Sequence, residues 1–291
     1  MGLRGRTSTA IGAVAAAIAV VMTVGAAPAV AASDPPFHPG LIISDDSFYN
    51  VQSMSASDIQ DFLEARACIP KDTSPCLADY TTDSRSIPAQ GPGHCDAIKG
   101  RRDEEASSII ERVAVACGIN PQVLLVLLQK EQSLLTAPSA SGYAKATGYA
   151  CPDTAACDTK YRGFFNQVYR AAWQFREYTL HPNEWHYRVG RVPIQYHPDK
   201  ACGASTVHIR NQATANLYNY TPYQPNADTV AHPKGPAGAC STFGNLNFSR
   251  IFNQWFGSPL TVRFSDWLPS CLNYAGGHDC PSDRPFDLPA V

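Results

Sequence analysis

Asn120-Pro-Gln-Val-Leu-Leu-Val-Leu-Leu-Gln-Lys-Glu131 is the stretch on which the reading of this chain turns. Asn120 offers a side-chain oxygen to a helix N-terminus, and Pro121 suits the first helical position, where its missing N–H costs nothing. The spacing predicts a helix from Pro121 to about Leu135. On a wheel of roughly 100° per residue, Leu124, Leu127, Leu128 and Leu135 form one apolar stripe. Gln129, Lys130 and Ser133 lie on the other side. Glu131 falls in the middle of the stripe, so its carboxyl is expected to face the core or a cleft cut into it. Burial there disfavours the charged form and is expected to raise its pKa. A carboxyl kept protonated near neutral pH is what a glycosidic general acid requires. The competing reading is structural: an exposed helix end, or a buried pair with an arginine.

Outward from this helix the pattern stays helical. Ser55 and Asp58 open a helix over Ile59 to Ala67. Residues 69–100 read as a loop rich in proline, glycine and threonine. Asp103, Glu104 and Glu105 begin a helix carrying Ile109, Ile110, Val113 and Ala114, and Gly118 suits its left-handed C-terminal cap. Further helices are predicted from about Gly163 to Tyr178, from Ala213 to Tyr220, and from Asn247 to Gly257. Trp173, Phe252, Trp255 and Phe256 sit at helical spacings and are assigned to the core. Val192 to Tyr196 and Thr206 to Ile209 read as strands of a hairpin. The fold class is therefore mainly α (α+β), with a small hairpin region and long loops.

Composition narrows the class. In 291 residues there are 23 Lys+Arg against 25 Asp+Glu, a net charge of -2. That balance gives no electrostatic reason to expect a nucleic-acid partner. With 44% hydrophobic residues the chain is not wholly disordered. The start reads as a signal peptide over residues 1–32: Arg4 and Arg6, an apolar run from Ala10 to Val24, then small residues up to a cut after Ala31 or Ala32. A membrane anchor is the rival reading, weakened by Ala/Gly richness and Pro28. Cleavage leaves no integral membrane span and a more acidic mature chain, secreted or associated with the cell wall. Residues 33–102 then form an N-terminal segment, 103–258 the main domain, and 259–291 a polar tail.

Export makes the ten cysteines a disulfide framework. Five pairs are possible and the sequence does not fix their connectivity; spacing favours the local staples Cys68 with Cys76, Cys151 with Cys157, and Cys271 with Cys280, after which Cys95 could pair with Cys117 and Cys202 with Cys240. A catalytic thiol or zinc site is the alternative, but neither Cys-x-x-Cys nor His-x-x-x-His occurs. The eight histidines are scattered singly, so no metal site is proposed. No phosphate-binding glycine loop or Gly-x-Ser-x-Gly elbow is present, and no cofactor is expected.

The Pro121–Glu131 segment resembles the catalytic helix of the lysozyme-like lytic transglycosylases, in which Asn/Asp-Pro and an apolar run precede the catalytic glutamate. Thr147-Gly148-Tyr149 resembles the glycine-rich turn of their substrate cleft. Leu217-Tyr218-Asn219-Tyr220-Thr221-Pro222 resembles their Ala-Tyr-Asn-Ala-Gly-Pro-like segment, in the right chain order. The resemblance covers roughly residues 103–257. The whole pattern is also similar to secreted actinobacterial proteins, some loosely named haemagglutinin. Two features depart from the family: Gln132 stands where serine usually follows the glutamate, and the Gly-Leu-Met-Gln turn is missing. The resemblance implies a lysozyme-like domain, peptidoglycan as partner, Glu131 as single general acid/base, and Tyr149, Tyr218, Asn219 and Tyr220 as substrate-binding residues. Hydrolysis would want a second carboxylate. Asp153, Asp158, Glu177 and Glu184 are available, but no spacing singles one out, and each is read as structural. A non-catalytic wall- or glycan-binding protein on the same scaffold is the second function class, with Glu131 as a hydrogen-bonding anchor.

Overall fold

A computed structural model describes residues 1–2, 36–152 and 155–262. The predicted signal peptide, the Cys271–Cys280 staple and Asp153 lie outside the described residues. The described residues from 36 to 262 belong to one compact unit.

The elements run in the order α1 (Asp45–Phe48), α2 (Ala56–Glu64), β1 (Thr81–Thr82), β2 (Glu104–Glu105), α3 (Ala106–Cys117), α4 (Pro121–Gln132), α5 (Ala140–Ala144), α6 (Phe164–Leu180), β3 (Gly190–Gln195), β4 (Ala204–Ile209), α7 (Gln212–Tyr220), α8 (Ala227–Ala231) and α9 (Gly244–Phe256). The expected mainly helical class with a small hairpin holds. β3 and β4 pair antiparallel from Gly190↔Ile209 to Gln195↔Ala204. Val192, Ile194, Val207 and Ile209 turn inward. α1, α5 and α8 are short helices that the periodicity does not announce.

Local chemistry explains the helix ends. Ser55 and Asp58 form a reciprocal capping box on α2, which starts at Ala56 rather than Ile59. Gly118, at φ 65°, closes α3. Asn120 accepts from Gln122 N at 2.7 Å to open α4. α4 stops at Gln132 rather than Leu135, because Ser133 turns left-handed at φ 55°. The free carbonyls there are taken up: Ser133 N donates to Gln129 O at 2.9 Å and Leu134 N to Leu128 O at 3.3 Å.

α4 sits at the centre, packed against α3 and α9, while α6 packs against α3 and α7. Val123 to Leu128 are all at most 1% exposed. The helix is thus enclosed all round over this stretch, as its near-total apolarity requires. Residues from before α3, among them Ile42, Phe48, Ile59, Leu77 and Ile98, join the same core as Phe175, Tyr218 and Phe248. Within that core Arg176 is fully buried and donates from Nε to Cys117 O at 2.9 Å and from Nη2 to Gly118 O at 2.8 Å. It caps the carbonyl end of α3, where a cation also complements the helix dipole.

Four expected disulfides are present: Cys68–Cys76, Cys95–Cys117, Cys151–Cys157 and Cys202–Cys240. Among the described residues no cysteine is free. Among them too, no helix is long and apolar enough to cross a membrane.

Candidate functional site

The last turn of α4 leaves the core and carries two charged neighbours. The Glu131 side chain is 24% exposed, and that of Lys130 only 6%. Lys130 Nζ pairs with Glu131 Oε1 and donates to Thr221 Oγ1 at 3.0 Å. The carboxyl is therefore neither deeply dry nor paired with an arginine. The wheel places Lys130 away from Glu131; its long, flexible stem brings the ammonium back to the carboxylate.

On the other side Glu131 meets the turn at Gly148. That residue has φ 71°, and a Cβ there would lie 3.1 Å from Glu131 Oε2. Glycine is thus needed twice, for the left-handed backbone and for close approach of the carboxyl. Gln167 of α6 holds the turn: its Oε1 accepts from Tyr149 N at 3.1 Å and its Nε2 donates to Tyr149 O at 3.0 Å. Tyr220 of α7 adds a second tie, its hydroxyl donating to Thr147 O at 2.9 Å.

Gly148 forms part of the wall of a cleft of about 410 Å³, together with Tyr149, Pro152, Gln174, Tyr178 and Tyr220. The Cys151–Cys157 bridge braces the loop that supplies one side. Burial, and after it the charge of Glu131, pushes the Tyr220 hydroxyl well above the usual tyrosine value. Burial also raises Tyr149, ahead of the neighbouring Tyr161. These phenols stay neutral over the physiological range, leaving a cleft with aromatic surfaces, neutral hydroxyls and a carboxyl at its edge. Aromatic faces with nearby hydrogen-bonding groups suit a saccharide.

Of the four residues expected to contact substrate, Tyr149 and Tyr220 come together on the cleft. Tyr218 and Asn219 do not. Tyr218 is 0% exposed in the core, and its hydroxyl donates to Pro39 O at 2.9 Å. Asn219 clamps the backbone of Tyr187, accepting from its N at 3.0 Å and donating to its O at 2.7 Å. The reason is rotational: successive residues of α7 point roughly 100° apart, so 218, 219 and 220 cannot share one face.

Gln174 and Tyr178 escaped the sequence reading, although their i,i+4 spacing on α6 puts them on one face. Lys130 escaped because the helical wheel treats side chains as short spokes. The other acids are engaged elsewhere. Asp158 caps a turn by accepting from Lys160 N at 2.9 Å. Glu177 binds His94 Nε2 at 3.1 Å, and Glu184 lies 3.6 Å from His181. Among the described residues no group of three or more His, Cys, Asp or Glu side chains is placed to hold a metal ion.

No curated protein and no solved structure matches the chain. Residues 41–269, which include α1 to α9 and the Cys151–Cys157 loop beside the cleft, match the family model described as LasA, N-terminal domain. With well over half of its length inside that match, the chain belongs to the LasA N-terminal domain family.

Proposed function

We propose that this is a secreted, cell-wall-acting protein that cleaves the glycan strands of peptidoglycan, with Glu131 as its general acid/base. Membership in the LasA N-terminal domain family supports the coarser part, a secreted protein acting on the cell wall. The finer part rests on one observation: a carboxyl at the end of a rigid, enclosed helix, against a glycine turn that walls a tyrosine-lined cleft. The buried α4 holds the carboxyl in place, as acid–base catalysis requires. Tyr149 and Tyr220 offer sugar-binding surface. In this reading the glutamate protonates the leaving glycosidic oxygen and then acts as base, either for a sugar hydroxyl that closes a 1,6-anhydro ring or for water. The lysozyme-like domain is proposed to occupy residues 103–258.

The Lys130–Glu131 pair favours the second reading, a glycan-binding protein in which the carboxylate is an anchor. Glu131→Gln separates the two. The amide keeps the shape and an acceptor for Lys130 but cannot carry the proton. Release of soluble fragments from purified peptidoglycan should fall by at least about 100-fold. Glycan binding should persist. Undiminished release by a folded Glu131→Gln protein would remove Glu131 from the chemistry; absence of release by the wild type, with binding intact, would favour the binding protein.

A further inference from the structure

A second depression is linked to the cleft wall by one ring contact. Tyr178, which faces the cleft, packs edge-to-face on Trp185 with ring centroids 4.6 Å apart. Trp185 in turn lines a depression of about 560 Å³ with Glu184, His186, Arg188, Arg191 and Pro193. Strand alternation explains part of this: in β3, Val192 and Ile194 turn inward, so Arg191 and Pro193 face outward. The Arg188 and Arg191 side chains are exposed and make no ion pair or hydrogen bond among the described residues. The Glu184 side chain, 73% exposed, lies 3.6 Å from His181 Nδ1 and makes no ion pair with either arginine among the described residues. In a chain of net charge -2, two unpaired guanidinium groups beside an indole are a local reversal of sign.

We infer that this depression is a subsite for an oxyanion carried by the wall polymer, adjoining the glycan cleft. Guanidinium groups bind carboxylate and phosphate through two parallel hydrogen bonds, which a lysine cannot reproduce. The indole gives an apolar surface for a sugar or acyl face next to the anion. The shared chemistry is a carboxylate or phosphodiester group attached to a saccharide. Its two sources are the carboxyls of peptidoglycan itself and phosphodiester polymers joined to it. The inference rests on the glycan reading of the cleft, because Tyr178, which lines the cleft, touches Trp185, which lines the depression.

The test is co-sedimentation at low salt with three wall preparations: intact walls, walls acid-stripped of phosphodiester polymers, and stripped walls whose carboxyls have been amidated. The wild-type chain is compared with Arg188→Gln/Arg191→Gln and with Arg191→Glu, which reverses one charge on the outer face of β3. Neither arginine has a partner to lose, so melting temperatures should match the wild type. Binding should weaken about tenfold or more in both variants, the size expected from losing charge-assisted hydrogen bonds. A difference that persists on stripped walls and disappears on amidation assigns the anion to peptidoglycan carboxyls. A difference confined to intact walls assigns it to phosphodiesters. Either supports the subsite. Wild-type-like binding of both variants to all three preparations would overturn it. Fragment release by the wild type, scored separately, reports on the cleavage reading and not on this one.

Discussion

Gly148→Ala tests the geometry that ties the turn to Glu131. The added methyl meets two separate obstacles. At φ 71° an L-residue pays for the left-handed backbone, about 1–2 kcal/mol. Its Cβ would also stand 3.1 Å from Glu131 Oε2 and 3.4 Å from Cδ, so the carboxyl must move by a few tenths of an ångström or more. For a folded body of this size the backbone term alone lowers Tm by about 2–8 °C. The displaced carboxyl should cost on the order of 10–100-fold in fragment release, since small misplacements of a reacting group are expensive. Thermal unfolding by circular dichroism and release from purified peptidoglycan are the two readouts. The contact is isolated by repeating the substitution in a Glu131→Ala background, where only the backbone term remains. The two stability costs should then differ by about 0.5 kcal/mol or more, the coupling expected of touching residues. Equal costs in both backgrounds, together with undiminished release, would show that Gly148 does not constrain Glu131.

Lys130→Met removes the buried ammonium shared by Glu131 and Thr221; urea denaturation should show a loss of about 1–3 kcal/mol, and an unchanged midpoint would mean the pair contributes nothing. Acid should weaken the fold in two stages, seen as falling denaturant midpoints from about pH 7 to about pH 3. Burial lowers the His94 pKa below its ordinary 6.5, so the unfolded chain takes up that proton first and stability declines as pH drops through 6.5. The Glu104 pKa is lowered because hydrogen bonds from Ser84, Arg112 and Ser108 outweigh its desolvation, so its contribution is present above the ordinary 4.5 and is lost as pH falls through the lower folded value; flat midpoints over that range would contradict both. Reduction under denaturing conditions should add two hydrogens for each of the four observed bridges, and for a fifth if Cys271 and Cys280 pair. Labelling of a thiol among the eight bridged cysteines in the native, unreduced protein would contradict the framework.

Local signals with a direct mechanical cause were legible without the structure. Ser55 with Asp58, Asn120 with Pro121, and Gly118 each satisfy a helix end through atoms only a few residues away, so their effect depends little on the rest of the chain. The unbroken apolarity of Val123–Leu128 announced a central helix, because no partly solvated position would accept it. The four observed disulfides each join cysteines that are consecutive in the sequence, but only Cys68–Cys76 and Cys151–Cys157 close short loops that keep the thiols within reach; Cys202 and Cys240, 38 residues apart, are brought together by the fold. Other features needed distant parts of the chain. α4 stops at Ser133, rather than at Leu135, through a left-handed turn that the leucine pattern conceals. Whether Tyr218 or Tyr220 meets the cleft depends on which face of α7 the core claims. Lys130 reaches Glu131 through a flexible stem that a wheel cannot represent. Gln174 and Tyr178 join the surface beside Gly148 only because α6 is folded back against the turn. Chain order and periodicity determined the central helix, its caps and the candidacy of Glu131, all short-range consequences of residue type. The tertiary structure alone decided which side chains surround that carboxyl, because cleft walls are assembled from residues far apart in sequence, and their meeting is set by the packing of whole helices.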